Sequence, residues 1–174
     1  MELQQAVSLI AAAVKKENGI WADVGAGTGL FTLALQHLLH EGTIYALDKN
    51  PHALWKLASS KQVCIKVEEA DFTKELSLPT LDGIIMANAL HYAPEPVVVF
   101  NQLLSCLKPK GVFILVEYET NTPNFPWIPY PIPLQHFKAI VTASQHSLSQ
   151  VIPISTVPSV YSTEHIYSAY IIKE

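Results

Sequence analysis

Charge is scarce in this chain: Asp, Glu, Lys and Arg make up 15% of its 174 residues, against roughly a quarter in ordinary domains. A chain so poor in charge and 49% apolar can bury a core, which excludes intrinsic disorder. Basic residues number 11 against 15 acidic ones, for a net charge of −4. No block of Lys and Arg stands out. Nucleic acid is therefore a poor expectation as a partner, because phosphate binding needs a basic surface. Only two cysteines occur, Cys64 and Cys106. Neither has the spacing of a metal ligand, and no metal is expected. Both sit in apolar stretches and are expected to be buried free thiols, which fits a reducing, cytoplasmic compartment. No apolar run reaches the length of a membrane span. The run Ala6 to Val14 is short, follows Glu2 and ends in Lys15-Lys16, so it reads as a helix and not as a signal peptide.

What is present is an alternation of apolar β-like runs with helical runs, the pattern of a parallel sheet covered on both faces. The spacing predicts helices over 3–17, 29–40, 51–59, 94–107 and 134–150. It predicts strands over 19–24, 43–47, 63–67, 81–86, 111–117, 151–156 and 166–173. Lys108-Pro109-Lys110-Gly111 reads as a turn. Six of the seven glycines precede residue 110, and five prolines crowd between Pro123 and Pro133 beside Phe125, Trp127 and Tyr130. Such a segment is a stiff aromatic loop and a poor flexible linker. One domain over 1–174 is expected.

Between the first strand and the helix after it stands Asp23-Val24-Gly25-Ala26-Gly27-Thr28-Gly29. A strand, a glycine turn and a helix start can hold a ligand at the helix N-terminus. A dinucleotide loop reads G-x-G-x-x-G; here the third glycine comes one residue early. No Lys followed by Ser or Thr opens the helix, which excludes a P-loop. Asp23 would repel a pyrophosphate and attract an ammonium or sulfonium group. Asp48 follows the second strand and can accept the hydroxyls of a ribose; its other reading, a cap for the helix at Pro51, is weaker. Asp71 follows the third strand in Ala70-Asp71-Phe72, and Asn88 follows the fourth in Asn88-Ala89-Leu90-His91-Tyr92. All four lie at carboxyl ends of strands, where open α/β sheets bind ligands.

These residues resemble class I S-adenosylmethionine-dependent methyltransferases, and more narrowly the methyltransferase type 11 / UbiE-like group. The resemblance runs from about Trp21 to Glu119. It rests on the glycine segment, on Tyr45-Ala46-Leu47-Asp48, on Ala70-Asp71-Phe72, on Leu81 through His91 and on Leu107 through Phe113. It implies a Rossmann-like seven-stranded, mostly parallel sheet with helices on both faces and an antiparallel last strand. It implies S-adenosyl-L-methionine as cofactor. Gly25, Ala26, Gly27, Gly29 and the Asp23 region would hold its methionine part. Asp48 would take the ribose hydroxyls and Lys49 would flank the adenine. Asp71 and Phe72 would meet the adenine edge. Asn88 would offer its backbone carbonyl near the methionine ammonium. Many relatives carry a longer N-terminal lid or an insertion after the fifth strand; here the proline-aromatic segment Thr120 to Pro133 is the expected cover.

The expected activity is methyl transfer to a small-molecule acceptor. In such a transfer the protein positions two partners and excludes water. His91 is the candidate base, since histidine titrates near neutrality, and Tyr92 the candidate orienting group; packing beside the cofactor is the competing role for His91. Phe125, Trp127 and Tyr130 are candidates for an apolar acceptor pocket, with Glu117 and Tyr118 further ones. His136, His146 and His165 show no metal spacing. The competing function is a non-catalytic cofactor-binding subunit that needs a partner chain; a nicotinamide-dependent oxidoreductase is a weaker third. Oligomeric state is left open, a homodimer included.

Overall fold

Runs rich in Val, Ile, Leu and aromatic residues settle as strands because both faces of a central sheet are covered. The computed structural model describes residues 1–15, 18–159 and 165–174. Seven strands form one sheet: β1 (Asn18–Val24), β2 (Glu41–Asp48), β3 (Val63–Glu69), β4 (Leu81–Ala87), β5 (Leu107–Tyr118), β6 (Ile152–Pro158) and β7 (His165–Ile172). Their order is β3-β2-β1-β4-β5-β7-β6. The first five run parallel. The last, β7, runs antiparallel to both β5 and β6, as the family resemblance implies. From β1 the chain first builds outward to β2 and β3, then crosses to β4 on the other side. That reversal opens a crevice at the carboxyl ends of β1 and β4.

Alternation along the strands sends side chains to opposite faces. Ile85, Ile114 and Val116 pack with Trp21, α1 (Leu3–Ile10) and α2 (Leu30–Leu38). Ile84, Met86 and Leu115 pack against α3 (Pro96–Cys106) and α4 (Leu134–Thr142). There Phe100 meets Phe113 and Phe137 edge-on, at 4.9 and 5.9 Å. The result is three layers.

Several expected elements come out shorter, each for a local reason. The first helix is regular only to Ile10 and continues as a turn over 11–13; Lys16 and Glu17, its expected end, lie outside the described residues. The helix expected over 51–59 is a single 3-10 turn, Leu54–Lys56. Past it, Ser60 Oγ accepts the Val63 N–H at 2.9 Å and Ser59 Oγ accepts the Ile65 N–H at 2.8 Å. Serine hydroxyls thus draw the chain off helix and into β3. The helix expected to reach 150 stops at Thr142. There Asn101 Oδ1 accepts the Ser144 hydroxyl and the Gln145 N–H, pinning the exit to α3. The turn expected at 108–111 is a bulge inside β5, with Lys110 at φ 63°. Asp82 anchors it by accepting from Lys108 Nζ at 2.8 Å and from the Ile20 N–H at 2.9 Å.

The cysteines also differ from expectation. Cys64 is exposed and Cys106 half-buried, both free. Cys64 lies on the outward face of β3, an edge strand with little covering it. At the opposite edge β6 is largely exposed and carries Pro153 and Pro158, a residue type tolerated at sheet edges. Among the described residues, no helix is long and apolar enough to cross a membrane.

Candidate active site

Two cavities meet at the crevice. The first, about 660 Å³, runs from the glycine loop past Asp48, Lys49 and Phe72 to Asn88 and Tyr92. The second, about 560 Å³, lies between Asn88, His91, Tyr92, Tyr118, Trp127 and Ile128. Asn88 and Tyr92 belong to both walls.

The glycine loop owes its shape to two different demands. Gly25 sits at φ 75°, and a Cβ there would fall 2.5 Å from that of Ala89. It lets β1 and β4 end side by side. Gly27, at φ 56°, would meet nothing within 4 Å; the space above it is cavity. The loop is fastened from one side by Asp48, whose Oδ2 accepts the Gly27 N–H at 2.8 Å and whose Oδ1 accepts the Asn50 N–H at 2.9 Å. Each of these oxygens keeps a second lone pair for a ligand. Asp48 thus links the ends of β1 and β2, and the helix cap at Pro51 is not its role.

Asp23 fastens the loop from behind. It is completely buried, and its Oδ2 accepts the Thr32 hydroxyl at 2.6 Å. Its Oδ1 has no partner among the described residues. Burial pushes its pKa up from 3.8 to about 7, with the Thr32 hydroxyl opposing. Expected to face the ligand, Asp23 instead stands outside the cavity wall; the β1 pleat turns it toward α2. Gly29 also leaves the wall: at φ 85° it caps α2, while Thr28, Leu30 and Phe31 line the cavity in its place. Asp71 too is displaced from the wall to its neighbour's support. It pairs with Lys49 Nζ at 3.1 Å and accepts the Thr73 hydroxyl at 2.6 Å and N–H at 3.0 Å. The Thr73 hydroxyl, then Lys49, hold its pKa down near 2. Ala26, Lys49 and Phe72 line the cavity.

Asn88 stands at φ 51°, its N–H donated to Val116 O at 2.8 Å. A non-glycine residue in the left-handed region is uncommon, though asparagine adopts it more readily than most. Its Oδ1 is buried without a partner among the described residues. Next along the chain, His91 is 1% exposed. Its Nδ1 lies 2.7 Å from Glu117 Oε2, and its N–H donates to Glu117 Oε1 at 3.2 Å. Tyr92 lies over it, ring centroids 4.4 Å apart.

The cover over the second cavity is the expected proline-aromatic strap. It is tied at its far end by Tyr167, whose hydroxyl donates to Ile132 O at 2.8 Å, and by Glu119 Oε2, which accepts the Leu134 N–H at 3.0 Å. Asn124 and Ile128 exchange backbone hydrogen bonds of 2.9 and 2.7 Å, and the Tyr130 N–H donates to His91 O at 3.0 Å. Of the three expected aromatics Trp127 lines the cavity, while Phe125 and Tyr130 do not; all three are exposed. Ile128 and Asn124 line it unforeseen. The 124–128 pair follows from the short bridge these two residues close, which no sequence pattern announces. His136 and His146 take backbone carbonyls as partners, Pro131 O at 3.0 Å and Asn101 O at 3.2 Å. Among the described residues no group of His, Cys, Asp or Glu is arranged to hold a metal ion.

Comparison with known proteins agrees with this geometry. A family model described as "Methyltransferase domain" matches residues 22–113, and the chain belongs to that family. A 2-methyl-6-phytyl-1,4-hydroquinone methyltransferase of Spinacia oleracea is 30% identical over 114 residues, covering 63% of this chain and 33% of that protein. The chain thus spans about a third of the length of that curated relative. Among solved structures, the 1,6-didemethyltoxoflavin-N1-methyltransferase of Burkholderia thailandensis, with its acceptor and S-adenosylhomocysteine bound, matches over 98% of this chain and 77% of its own. The TM-score is 0.75 at 18% identity. A SAM-dependent methyltransferase of Aquifex aeolicus matches over 99% and 88%, with a TM-score of 0.68 at 20% identity. At such identities these two likenesses speak for the fold.

Proposed function

We propose that the chain is an S-adenosylmethionine-dependent methyltransferase, with the cofactor in the 660 Å³ cleft and a small acceptor in the 560 Å³ cavity beside it. The observation that carries this reading is the shared wall of Asn88 and Tyr92. Two substrates that exchange one carbon need adjoining sites with a common boundary, so that reacting atoms approach within about 3–3.5 Å.

The cleft suits the cofactor part by part. Open space over Gly27 leaves backbone exposed to the methionine part, with Gly25, Ala26 and Gly27 along it and Asp23 and Gly29 holding the loop from outside. Asp48 keeps lone pairs for ribose hydroxyls. Phe72 and Lys49 flank the adenine, with Asp71 fixing Lys49. Asn88 offers its carbonyl to the methionine ammonium. When bound, the cofactor supplies an electrophilic methyl group on a sulfonium. The chain's contribution is then to bind, orient and keep water away. His91 and Tyr92 face the acceptor from the floor of its cavity, and Trp127 and Ile128 close over it.

We read residues 1–174 as one domain, since a single sheet runs through the described part. The net charge of −4 argues against nucleic acid as acceptor. Two free thiols, one exposed, fit a reducing compartment, and we place the protein in the cytoplasm. Calorimetric titration with S-adenosylhomocysteine tests the proposal: a dissociation constant of roughly 1–100 μM is expected, and no heat of binding at millimolar ligand would refute it.

A further inference from the structure

Glu117 is 1% exposed, and the described ion pairs give it no partner but His91. A lone carboxylate buried in protein is costly unless a cation or several donors offset it. Here the donors are two, both from His91: the ring Nδ1 and the backbone N–H. The carboxylate is therefore aimed at one residue, and it fixes that residue's tautomer. With Nδ1–H donated to Glu117, the Nε2 lone pair is free. Nε2 is buried and has no partner among the described residues, and His91 lines the acceptor cavity. Two phenol rings lie against the imidazole, Tyr118 with its centroid 6.1 Å away and Tyr92 at 4.4 Å. Burial first and the charge of Glu117 second raise the pKa of Tyr92, so that phenol keeps its proton.

The remaining wall says what an acceptor in that cavity would meet beside His91. Tyr92, Tyr118, Trp127 and Ile128 supply flat apolar surface; Asn88 and Asn124 supply neutral polar atoms. No Lys, Arg, Asp or Glu lines it among the described residues. An acceptor carrying a carboxylate or phosphate would find no counter-charge.

Resting on the methyltransferase reading, we infer that Glu117 is a positioning residue that holds His91 as a general base, and that the acceptor is an uncharged planar ring compound with a hydroxyl or ring N–H. The O–H or N–H bond breaks and its proton passes to His91 Nε2. The freed pair forms the bond to the methyl carbon, and the electrons of the C–S bond stay on sulfur. Charge balances: the positive charge lost at sulfur reappears on the imidazolium, beside Glu117. After transfer the buried carboxylate thus has the imidazolium 2.7 Å away.

The test uses a coloured probe of the stated class, 4-nitrophenol, added to protein saturated with S-adenosylhomocysteine. At a pH where the free probe is mostly neutral, the bound probe should show the phenolate absorption band. In H91Q the band should vanish, and in E117Q it should weaken several-fold. Unchanged S-adenosylhomocysteine affinity in each variant certifies the fold. Binding of the probe in neutral form, a band that persists in H91Q, or no binding at all overturns the inference. Nitrogen NMR of the ligand-free protein gives a second readout: His91 should be the Nδ1–H tautomer in the wild type and a mixture in E117Q. An Nε2–H tautomer in the wild type would sink it independently. Should S-adenosylhomocysteine itself fail to bind the wild type, the methyltransferase reading falls, and that result is distinct from every one of these.

Discussion

The two cavities are built in opposite ways. The cleft proposed for the cofactor is lined by the glycine loop, by short side chains and by the rings of Phe31, Phe72 and Tyr92, and Asp23, Asp48 and Asp71 are each tied to a neighbour within about 3 Å. The acceptor cavity is made of large side chains brought from three places: the turn after β4, the end of β5, and a strap far along the chain. One ligand is gripped by a scaffold that leaves little room for change. The other is met by a surface that substitution can reshape without disturbing the sheet. The two constructions meet at Asn88 and Tyr92, which belong to both walls; if they are otherwise separable, a methyl-transfer fold can keep its donor and exchange its acceptors.

Substitutions can break or sharpen that contrast, beginning with the largest expected effect. Asp23 keeps its proton up to about pH 7 in the fold, but in the unfolded chain loses it near 3.8. Between those values the native state binds more protons, so wild-type stability falls as pH rises and levels off above about 7. D23N removes this slope. It should stabilise the protein at pH 8 by up to about 4 kcal/mol relative to wild type, with the gain fading toward pH 4. Urea denaturation at pH 5 and pH 8 checks it, and equal gains at both would show that Asp23 is charged in the fold. Next, G25A should cost about 1–3 kcal/mol of stability and at least tenfold in cofactor affinity, because the new Cβ meets Ala89. Thermal unfolding and calorimetry would reveal it. D48A should weaken S-adenosylhomocysteine binding by about 1–3 kcal/mol and loosen the Gly27 N–H it holds, visible as faster amide exchange. Smallest, W127A should leave S-adenosylhomocysteine affinity unchanged while raising the acceptor KM by an amount equivalent to about 0.5–1.5 kcal/mol. A fall in cofactor affinity there would show that the two halves are not separable after all.

The same contrast explains what the sequence revealed. Strand positions, the site at the strands' carboxyl ends and the glycine loop rest on local patterns: apolar runs, Gly at fixed offsets, acids at strand ends. These were legible, and Gly25, Gly27, Asp48, Lys49, Phe72 and Asn88 all reach the cleft. The side-chain direction of Asp23 was not, because it depends on how the β1 pleat meets Thr32 across the turn. Helices over 51–59 and past Thr142 failed where Ser59, Ser60 and Asn101 offered the backbone other partners. The pairing of His91 with Glu117 spans 26 positions and two strands. No local pattern links them, although each residue separately looked like a site residue.

The outer edge of β6 has a consequence for self-association. A sheet edge with free N–H groups invites a second strand to add to it. Pro153 and Pro158 have no N–H to give, and they occupy two of that strand's seven positions. Growth of the sheet into a second copy is discouraged from that side, so two copies that joined sheets would do so through the opposite edge, β3.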